Sequence, residues 1–363
     1  MKGILFYREH ANGQTASLAI GSLREKRGER DNMHTQWYPP RLGTLSEEQF
    51  QAALDRFQLG QLISAEPVRF GNMGQQVFLT SAQGNFVLRG APLDAVQFAC
   101  ERWFMQQLHE HTQVPVPWPY LLDRRKDIFG WNYILMPRLP GLSLADWQAK
   151  QGLPQEARQS IARALGETLA ELHRLTWPYV GDYDLARDDI KPLEQGYADY
   201  QVAHVRGALA SCIRATARTT AADAEWVEQV IAQGQDALHE PFVPCCVHGD
   251  YQESNVLVEE SDGQWRVSGV FDLYPGFGDP ESDLSRPLAS YLNERPALAQ
   301  EFFRAYSQLR PLRAGWRERF PLYMLCERLA MWEWAQREKR IWWDERLTLR
   351  EWAEPFTSTF ETL

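Results

Sequence analysis

The segment CCVHGDYQESNVLV, from Cys245 to Val258, restricts the fold of this chain more than any other segment. An apolar run leads directly into a His, a Gly and Asp250, and Asn255 follows after four further residues. A turn at ESDGQ and a second apolar run then lead to Asp272. Two strands joined in this way form a hairpin, which brings Asn255 and Asp272 close together at one end. The sequence therefore predicts two carboxylates and an amide beside one another.

These three side chains match the requirements of phosphoryl transfer. The amide oxygen of Asn255 and the carboxylate of Asp272 are hard-oxygen ligands for Mg²⁺, and they leave coordination positions for phosphate and water. Asp250 stays off the metal and is able to accept a proton from a hydroxyl group. The plainer interpretation makes Asp250 a turn residue and Asn255 a cap, but the position of Asp272 disfavours it.

The rest of the chain divides into a strand-rich part and a helical part. A helix capped by Ser46 is predicted over residues 45–57, followed by strands at SAEPVRF, QQVFLTS and NFVLRG. A helix over 94–111 and a strand within 131–141 complete the first part. After a link rich in Pro and Gly, the pattern predicts a long helix over 156–175 and helical stretches to about residue 240.

Three segments follow from this order. Residues 1–44 are charged and rich in turn formers, so we expect a loosely attached extension, and its short apolar patch makes a poor signal peptide. Residues 45–138 form a small lobe and residues 139–363 a larger one, with the boundary at the Pro- and Gly-rich link.

Composition limits the partners. The formal net charge of −10 argues against nucleic acid, because phosphate backbones require a basic surface, and it is compatible with a cationic small molecule. We expect no membrane partner, since no apolar run reaches spanning length. The five scattered cysteines fit reduced thiols in a cytoplasmic protein, and the adjacent Cys245 and Cys246 are predicted to be core residues. The oligomeric state stays open.

Taken together, the motifs resemble those of the aminoglycoside phosphotransferase family. Its marks are H-G-D-x-x-x-x-N, an Asp after a short strand, and G-D-P-x-x-D-L, and this chain has HGDYQESN, VFDLY and GDPESDL in that order. The resemblance extends to FVLR, ILMPRLPG and LGETLAELHRL and covers roughly residues 60–290. It implies an α+β, protein-kinase-like fold, with a small antiparallel-sheet lobe and a larger, mainly helical lobe. It also implies transfer of the γ-phosphoryl group of ATP, with GTP as an open alternative, to a hydroxyl of a small molecule.

The resemblance implies a role for each matching residue. Asp250 is the catalytic base, Asn255 and Asp272 hold Mg²⁺, and His248 braces the loop. The implied nucleotide contacts are the phosphate-covering turn from Gly71 to Gly74, the phosphate-contacting Arg89 with its partner Glu101, and the adenine-binding backbone from Met136 through Arg138 to Leu139. The implied acceptor is a hydroxyl compound such as an aminoglycoside, a sugar, choline or another amino alcohol.

The chain departs from the family at several of these positions. Arg89 takes the place of a Lys, and an arginine binds phosphate with different geometry. The turn at Gly71–Gly74 is G-x-x-G rather than a full glycine-rich loop, so a plain hairpin is its alternative. An ordinary surface ion pair is the alternative for Arg89 and Glu101. Tyr251, Gln252 and Glu253 also differ from the common HGDLHPGN.

Other interpretations stay open. Asp279 and Asp283 either cap a following helix or anchor the loop that carries Asp250. The default interpretation of the C-terminal segment RLAMWEWAQREKRIWWDERLTLREW is that its helices pack against the larger lobe. In the alternative interpretation, its Trp residues or the nearby acids Glu327, Glu333 and Asp344 line the acceptor site. A nucleotide-binding pseudokinase and a metal-dependent hydrolase are the rival functions. A protein kinase is disfavoured because the H-R-D, D-F-G and A-P-E set is missing from the sequence.

Overall fold

The computed structural model of the protein describes residues 41–68 and 75–358. Nearly all of the predicted N-terminal extension lies outside these residues, and so does the predicted turn from Gly71 to Gly74. The strands are β1 (Leu62–Pro67), β2 (Gln76–Ser81), β3 (Gly84–Gly90), β4 (Leu121–Asp123), β5 (Tyr133–Pro137), β6 (Leu142–Ser143), β7 (Gly181–Asp184), β8 (Asp189–Pro192), β9 (Cys245–Val247), β10 (Val256–Ser261), β11 (Gln264–Val270) and β12 (Gly276–Gly278). The α-helices are α1 (Glu47–Arg56), α2 (Gln97–His111), α3 (Trp147–Gly152), α4 (Gln155–Leu172), α5 (Tyr197–Ala215), α6 (Ala221–Gly234), α7 (Ser285–Glu294), α8 (Pro296–Leu309), α9 (Trp316–Glu338) and α10 (Leu349–Ser358).

The first part of the chain forms a five-stranded antiparallel sheet in the order β1-β2-β3-β5-β4. Alternate residues of a strand face opposite sides of a sheet. Leu88 and Leu135 accordingly join the hydrophobic cluster that contains α1, whereas Val87 and Met136 join the cluster that contains α2. The predicted cap of α1 is confirmed, since Ser46 Oγ accepts a hydrogen bond from the backbone N–H of the third helical residue.

Two smaller sheets, in the orders β11-β10-β6 and β8-β7-β12-β9, belong to the larger part of the fold. The partners of the strands change between Pro137 and Leu142, at the link that the sequence marks as the lobe boundary. Helix α4 packs along α8 and against β11. Cys245 and Cys246 are fully buried in β9 as free thiols, which confirms that they are core residues.

The prediction of helical stretches up to residue 240 misses a hairpin. Strands β7 and β8 precede α5 and α6, and β7 pairs with β12 from a distant part of the chain. Their sequences, GDYD and DIKP, are short and polar, so they lack the apolar alternation by which a strand is recognised. Pairing across the chain, rather than local pattern, makes these residues strands.

The Trp-rich C-terminal segment packs one side of its helices into the core. Trp332 of α9 is fully buried and stacks on Trp343, and Trp352 of α10 also stacks on Trp343, with its ring 5.7 Å from that of Trp332. Trp342 is half exposed at the edge of this cluster. Helix packing, the default interpretation, therefore accounts for most of the segment. No helix in the described ranges combines the length and hydropathy needed to cross a membrane.

Candidate active site

The loop that carries Asp250 is anchored by a buried carboxylate. Asp283 accepts hydrogen bonds from the backbone N–H groups of His248 and Gly249, the latter at 2.8 Å, and it also contacts His173 Nε2 at 3.3 Å. Burial opposes the charge of Asp283, but the hydrogen bonds from His173 and His248 hold its pKa below the ordinary value. Of the two interpretations of Asp283, the structure therefore confirms the anchor of the loop.

His248 is part of this scaffold and does not face the cleft. Its side chain is fully buried, and burial lowers its pKa, so the ring is neutral. Its Nδ1 accepts the backbone N–H of Asp250 at 3.3 Å. The predicted bracing role is confirmed by this contact, which links the ring to the backbone of the candidate base.

The carboxylate of Asp250 is oriented by three donors. Its Oδ1 accepts hydrogen bonds from Arg286 Nε at 2.8 Å and Gln252 Nε2 at 3.0 Å. Its Oδ2 accepts one from Asn255 Nδ2 at 2.9 Å. The Asp250 side chain nevertheless keeps 27% of its surface exposed, so an acceptor hydroxyl is able to reach it. Sequence reasoning missed Arg286, although its position three residues after Asp283 places both on one face of a helical turn.

The glycine between His248 and Asp250 is required by its conformation and its surroundings. Gly249 has φ +78°, and a Cβ there would lie 2.5 Å from the carbonyl oxygen of Tyr274. Tyr274 in turn donates its N–H to His248 O at 2.8 Å. The loop therefore packs directly against the segment that follows Asp272.

We predict that Gly249→Ala destabilises the protein by about 3 kcal/mol, because strain and a backbone clash act together. Gly263→Ala is a matched control, since Gly263 has φ +76° with no atom within 4 Å of a Cβ, and it should cost only about 1–2 kcal/mol. Urea unfolding of both variants measures the difference. Equal losses for the two glycines would show that the contact with Tyr274 does not matter.

Asn255 and Asp272 lie at the same end of the β10–β11 hairpin, as predicted. Val256 pairs with Val270, and the N–H of Phe271 donates to Asn255 O at 3.2 Å. Asp272 has φ +63°, in the left-handed region that few non-glycine residues adopt and that Asp and Asn tolerate best. Asn255 Nδ2 donates to Asp250, so a cation would bind at Oδ1, which accepts the hydroxyl of Ser254 at 3.3 Å.

This donor set fits Mg²⁺. One carboxylate and one amide oxygen suit a cation that keeps several waters and binds substrate phosphates for its remaining positions. No group of three or more His, Cys, Asp and Glu residues that could hold a metal without such help occurs in the described part of the chain. If a magnesium ion binds here, Asn255 and Asp272 would supply two ligands, and a nucleotide and water would supply the others.

Arg89 joins the two lobes at this point. Its Nη1 lies 2.8 Å from Glu101 Oε2 on α2, and its Nη2 lies 2.6 Å from Asp272 Oδ1. Burial works against its charge, but Asp272 and Glu101 raise its pKa further above the usual range. Tyr120 donates a hydrogen bond to Glu101 from the same buried cluster. The alternative of an ordinary surface ion pair is wrong, since Arg89 and Glu101 are each 3% exposed.

The predicted adenine contacts lie on β5 and just after it. Met136 is paired with Val87 inside the sheet and is buried. The N–H of Arg138 donates to Asn85 O at 2.9 Å, and its guanidinium lies 3.8 Å from the centre of the Phe78 ring. An adenine contact at Arg138 would therefore use its carbonyl or side chain, and it stays a prediction, like the role of Gly71 and Gly74.

Of the acids named as candidates for the acceptor side, only Glu327 is linked to the catalytic loop. Its Oε1 binds Arg286 Nη1 at 2.8 Å, and Arg286 holds Asp250. Glu333 instead pairs with Arg337 along α9. Asp344 pairs with Arg346 in the loop before α10, so neither it nor Glu333 reaches Asp250 through a described contact.

A two-lobed α+β fold with this Asp, Asn and Asp set between its lobes defines a phosphotransferase of the protein-kinase-like class. The Phosphotransferase enzyme family matches residues 64–319, well over half of the sequence, and the chain belongs to this family. It is a small-molecule kinase that acts on hydroxyl groups. The fold and the resemblance predicted from the sequence are thereby confirmed. No curated protein matches the sequence.

Solved structures of the same fold include three informative neighbours. A candidate aminoglycoside phosphotransferase from Ralstonia eutropha JMP134 is 19% identical, with a TM-score of 0.61, over 86% of this chain and 96% of its own. A candidate fructosamine-3-kinase from Thermobifida fusca YX-ER1 is 21% identical, with a TM-score of 0.56, over 80% and 94%. A thermostable mutant of aminoglycoside phosphotransferase APH(4)-Ia, in a ternary complex with ADP and hygromycin B, is 16% identical, with a TM-score of 0.56, over 79% and 96%.

Proposed function

We propose that the protein transfers the γ-phosphoryl group of ATP, bound with Mg²⁺, to a hydroxyl group of a small molecule. The observation that supports this most directly is the convergence of Asp250, Asn255 and Asp272 at one end of the β10–β11 hairpin. Phosphoryl transfer requires this combination of a base and hard-oxygen ligands, and most of its catalysis is positioning and charge stabilisation.

Each residue has a defined part in the proposed mechanism. Asn255 and Asp272 would hold Mg²⁺, which neutralises the phosphate charge when it is bound. Asp250 orients the acceptor hydroxyl and accepts its proton late in the reaction, while Arg286, Gln252 and Asn255 fix the direction of its carboxylate.

Arg89 is the residue that supports the proposed binding of nucleotide phosphates. This guanidinium lies between Glu101 and Asp272, so it places a permanent positive charge beside the proposed metal ligand. A structural neighbour that holds ADP together with hygromycin B supports a nucleotide and a hydroxylated acceptor in one cleft. The acceptor class that we propose is an amino alcohol or a sugar, with a cytoplasmic location for the reaction.

A nucleotide titration tests the proposal. Binding to the native state raises the unfolding temperature in proportion to the logarithm of ligand excess. We expect a magnesium-dependent rise with ATP or GTP, and ADP release in the presence of one class of hydroxylated small molecules. Nucleotide binding with no turnover on any acceptor would favour a pseudokinase instead. A thermal shift that requires no magnesium would contradict the roles given to Asn255 and Asp272.

Asp272→Asn is predicted to weaken Mg–nucleotide binding by at least about tenfold, because an amide replaces the charged ligand. Asn tolerates the left-handed conformation at this position, so the backbone should be retained. Glu260→Gln, on the exposed end of β10, is the control for loss of one carboxylate in the same hairpin. Calorimetric titration with and without Mg²⁺ measures the effect, and unchanged affinity in Asp272→Asn would exclude it as a metal ligand.

A further inference from the structure

The second half of the loop that carries Asp250 is held by an ion pair. Residues 252–254 lie between Asp250 and Asn255, and Glu253 begins the 3-10 turn that ends at Asn255. The Oε2 atom of Glu253 lies 2.7 Å from Lys150 Nζ on α3. Within the described ranges, no other side-chain hydrogen bond or ion pair joins residues 252–254 to another helix or strand. The position of this half of the loop therefore depends on its contact with α3.

This ion pair is better suited to fixing a position than to stabilising the fold. The side chains of Lys150 and Glu253 are 19% and 14% exposed. An ion pair that stays in contact with water adds little to stability, because screening and the entropy lost by two long side chains offset the attraction. A small displacement of a catalytic group, in contrast, lowers activity strongly. Loss of the pair should therefore leave the fold intact and change the geometry of the loop.

Helix α3 is fixed at both of its ends. At its start, Asp146 accepts hydrogen bonds from two backbone N–H groups of the first turn. At its other end, the buried Arg158 of α4 donates to the carbonyl oxygens of Lys150 at 2.8 Å and of Leu153 at 3.0 Å. The backbone that carries the Lys150 side chain is thereby attached to the long helix α4, so Lys150 is a fixed point for the loop.

Helix α3 also follows directly on the link between the lobes. Strand β6 in this link pairs with β10, and Ser268 Oγ on β11 donates to Pro140 O at 2.7 Å. The backbone from Met136 to Leu139, at which the adenine contacts are predicted, immediately precedes the link. The ion pair of Lys150 with Glu253 thus connects the predicted adenine-binding segment to the loop that leads to the proposed metal site.

Asn255 is the site residue that this ion pair affects most directly. Its N–H donates to the carbonyl oxygen three residues earlier at 3.0 Å, and this bond closes the turn that contains Glu253. Asp250 is held separately by Arg286. We propose that Lys150 and Glu253 are positioning residues that hold Asn255 in place for Mg²⁺. Their role rests on the proposed function, because it requires that Asn255 binds the metal.

Glu253→Gln and Lys150→Met each remove the ion pair. We expect each variant to weaken Mg²⁺ binding to the complex of the protein with ADP by about tenfold, since residues that orient a metal ligand have effects of this size. The affinity for ADP without Mg²⁺ and the urea midpoint of unfolding should stay at their wild-type values. Calorimetric titration of the full-length protein with ADP over a series of Mg²⁺ concentrations, together with urea unfolding, measures these quantities.

Further variants separate positioning from the loss of a charge. Lys150→Arg keeps the pair and should bind Mg²⁺ as wild type does. Exchange of the two charges, Lys150→Glu with Glu253→Lys, should recover most of the affinity that each single variant loses, because residues in contact do not act independently. Glu228→Gln breaks the exposed ion pair of Glu228 with Arg206 at 2.8 Å, between α5 and α6, and as the matched control it should change neither quantity.

The outcomes distinguish the positioning role from the proposed function. Wild-type Mg²⁺ affinity in both Glu253→Gln and Lys150→Met would overturn the positioning role alone. A variant in which Mg²⁺ affinity and the urea midpoint fall together would show that the pair is structural, and would also overturn it. If wild type itself bound ADP without any dependence on Mg²⁺, the proposed metal site would be wrong, and the positioning role with it.

Discussion

Asp250→Asn is expected to lower the rate of phosphoryl transfer by about 10²–10⁴-fold while nucleotide affinity stays nearly unchanged. An amide has almost the same shape as a carboxylate but does not accept the proton of the acceptor hydroxyl. The nucleotide contacts proposed at Arg89 and Asp272 do not involve Asp250. The loss should therefore appear in kcat and not in the dissociation constant of the nucleotide.

The surroundings of Asp250 make this substitution informative. Arg286, Gln252 and Asn255 all donate to its carboxylate, so an amide nitrogen would face at least one donor and the side chain would be held less firmly. We expect only a small loss of stability, because the side chain is partly exposed. Thermal unfolding of the variant would show whether lost activity reflects lost structure.

The experiment compares wild type, Asp250→Asn and the control Asp236→Asn in a coupled ADP-release assay and in calorimetric titration with Mg–ATP. The control removes a carboxylate from an exposed turn and should behave as wild type. If Asp250→Asn turned over the acceptor at the wild-type rate, Asp250 would not be the base. A loss of nucleotide binding in Asp250→Asn would instead show that Asp250 contributes to the nucleotide-binding site.

The parts of the site that the sequence predicts are those set by local geometry. Asn255 follows Asp250 within one short loop, and the hairpin that pairs Val256 with Val270 brings Asp272 to the same end. Hairpin register depends on residues close in sequence, so the motif carries this information. The predicted partnership of Arg89 and Glu101 was supported by the resemblance, and the buried ion pair is now seen directly.

The parts that the sequence does not predict depend on packing between distant elements. Arg286 reaches Asp250 because α7 lies beside the catalytic loop, and it is held there by Glu327 from α9. A cavity of about 300 Å³ between α2 and the β7–β8 hairpin likewise depends on elements that are far apart in the chain. Neither arrangement leaves a periodic pattern, since each follows from tertiary contacts of a few polar residues.

Two series of ion-paired side chains end at the candidate active site, beside the end of the β10–β11 hairpin. One runs from Glu101 through Arg89 to Asp272, and the other runs from Glu327 through Arg286 to Asp250. Each arginine lies between a supporting carboxylate and a carboxylate of the proposed site. The supporting residues Glu101 and Glu327 come from α2 and α9, so the site is fixed from the small lobe and from the C-terminal helices at once.

Asp283→Ala is expected to destabilise the protein by about 3–5 kcal/mol. The substitution leaves the backbone N–H groups of His248 and Gly249 buried without an acceptor, and it removes the partner of His173. Asp236→Ala, which removes a carboxylate from an exposed turn, is the control and should change the free energy of unfolding by about 0.5 kcal/mol or less. Urea unfolding at neutral pH measures both variants.

The pH dependence of this effect follows from the shifted pKa values. The pKa of Asp283 is lowered in the folded protein, so its contribution is complete above the unfolded value of about 3.9 and is lost as pH falls through the folded value. The buried His173 and His248 have lowered pKa values, so the unfolded chain binds protons more readily and wild type loses stability below about pH 6.5. Asp283 also raises the pKa values of both histidines, so its removal lowers them further, and the difference in stability between wild type and Asp283→Ala should not shrink as pH falls through the titration of the histidines. It should narrow only at the lower pH at which the Asp283 carboxylate itself becomes protonated. A difference that already vanished near pH 6 would mean that the histidines, and not the Asp283 carboxylate, hold the catalytic loop in place.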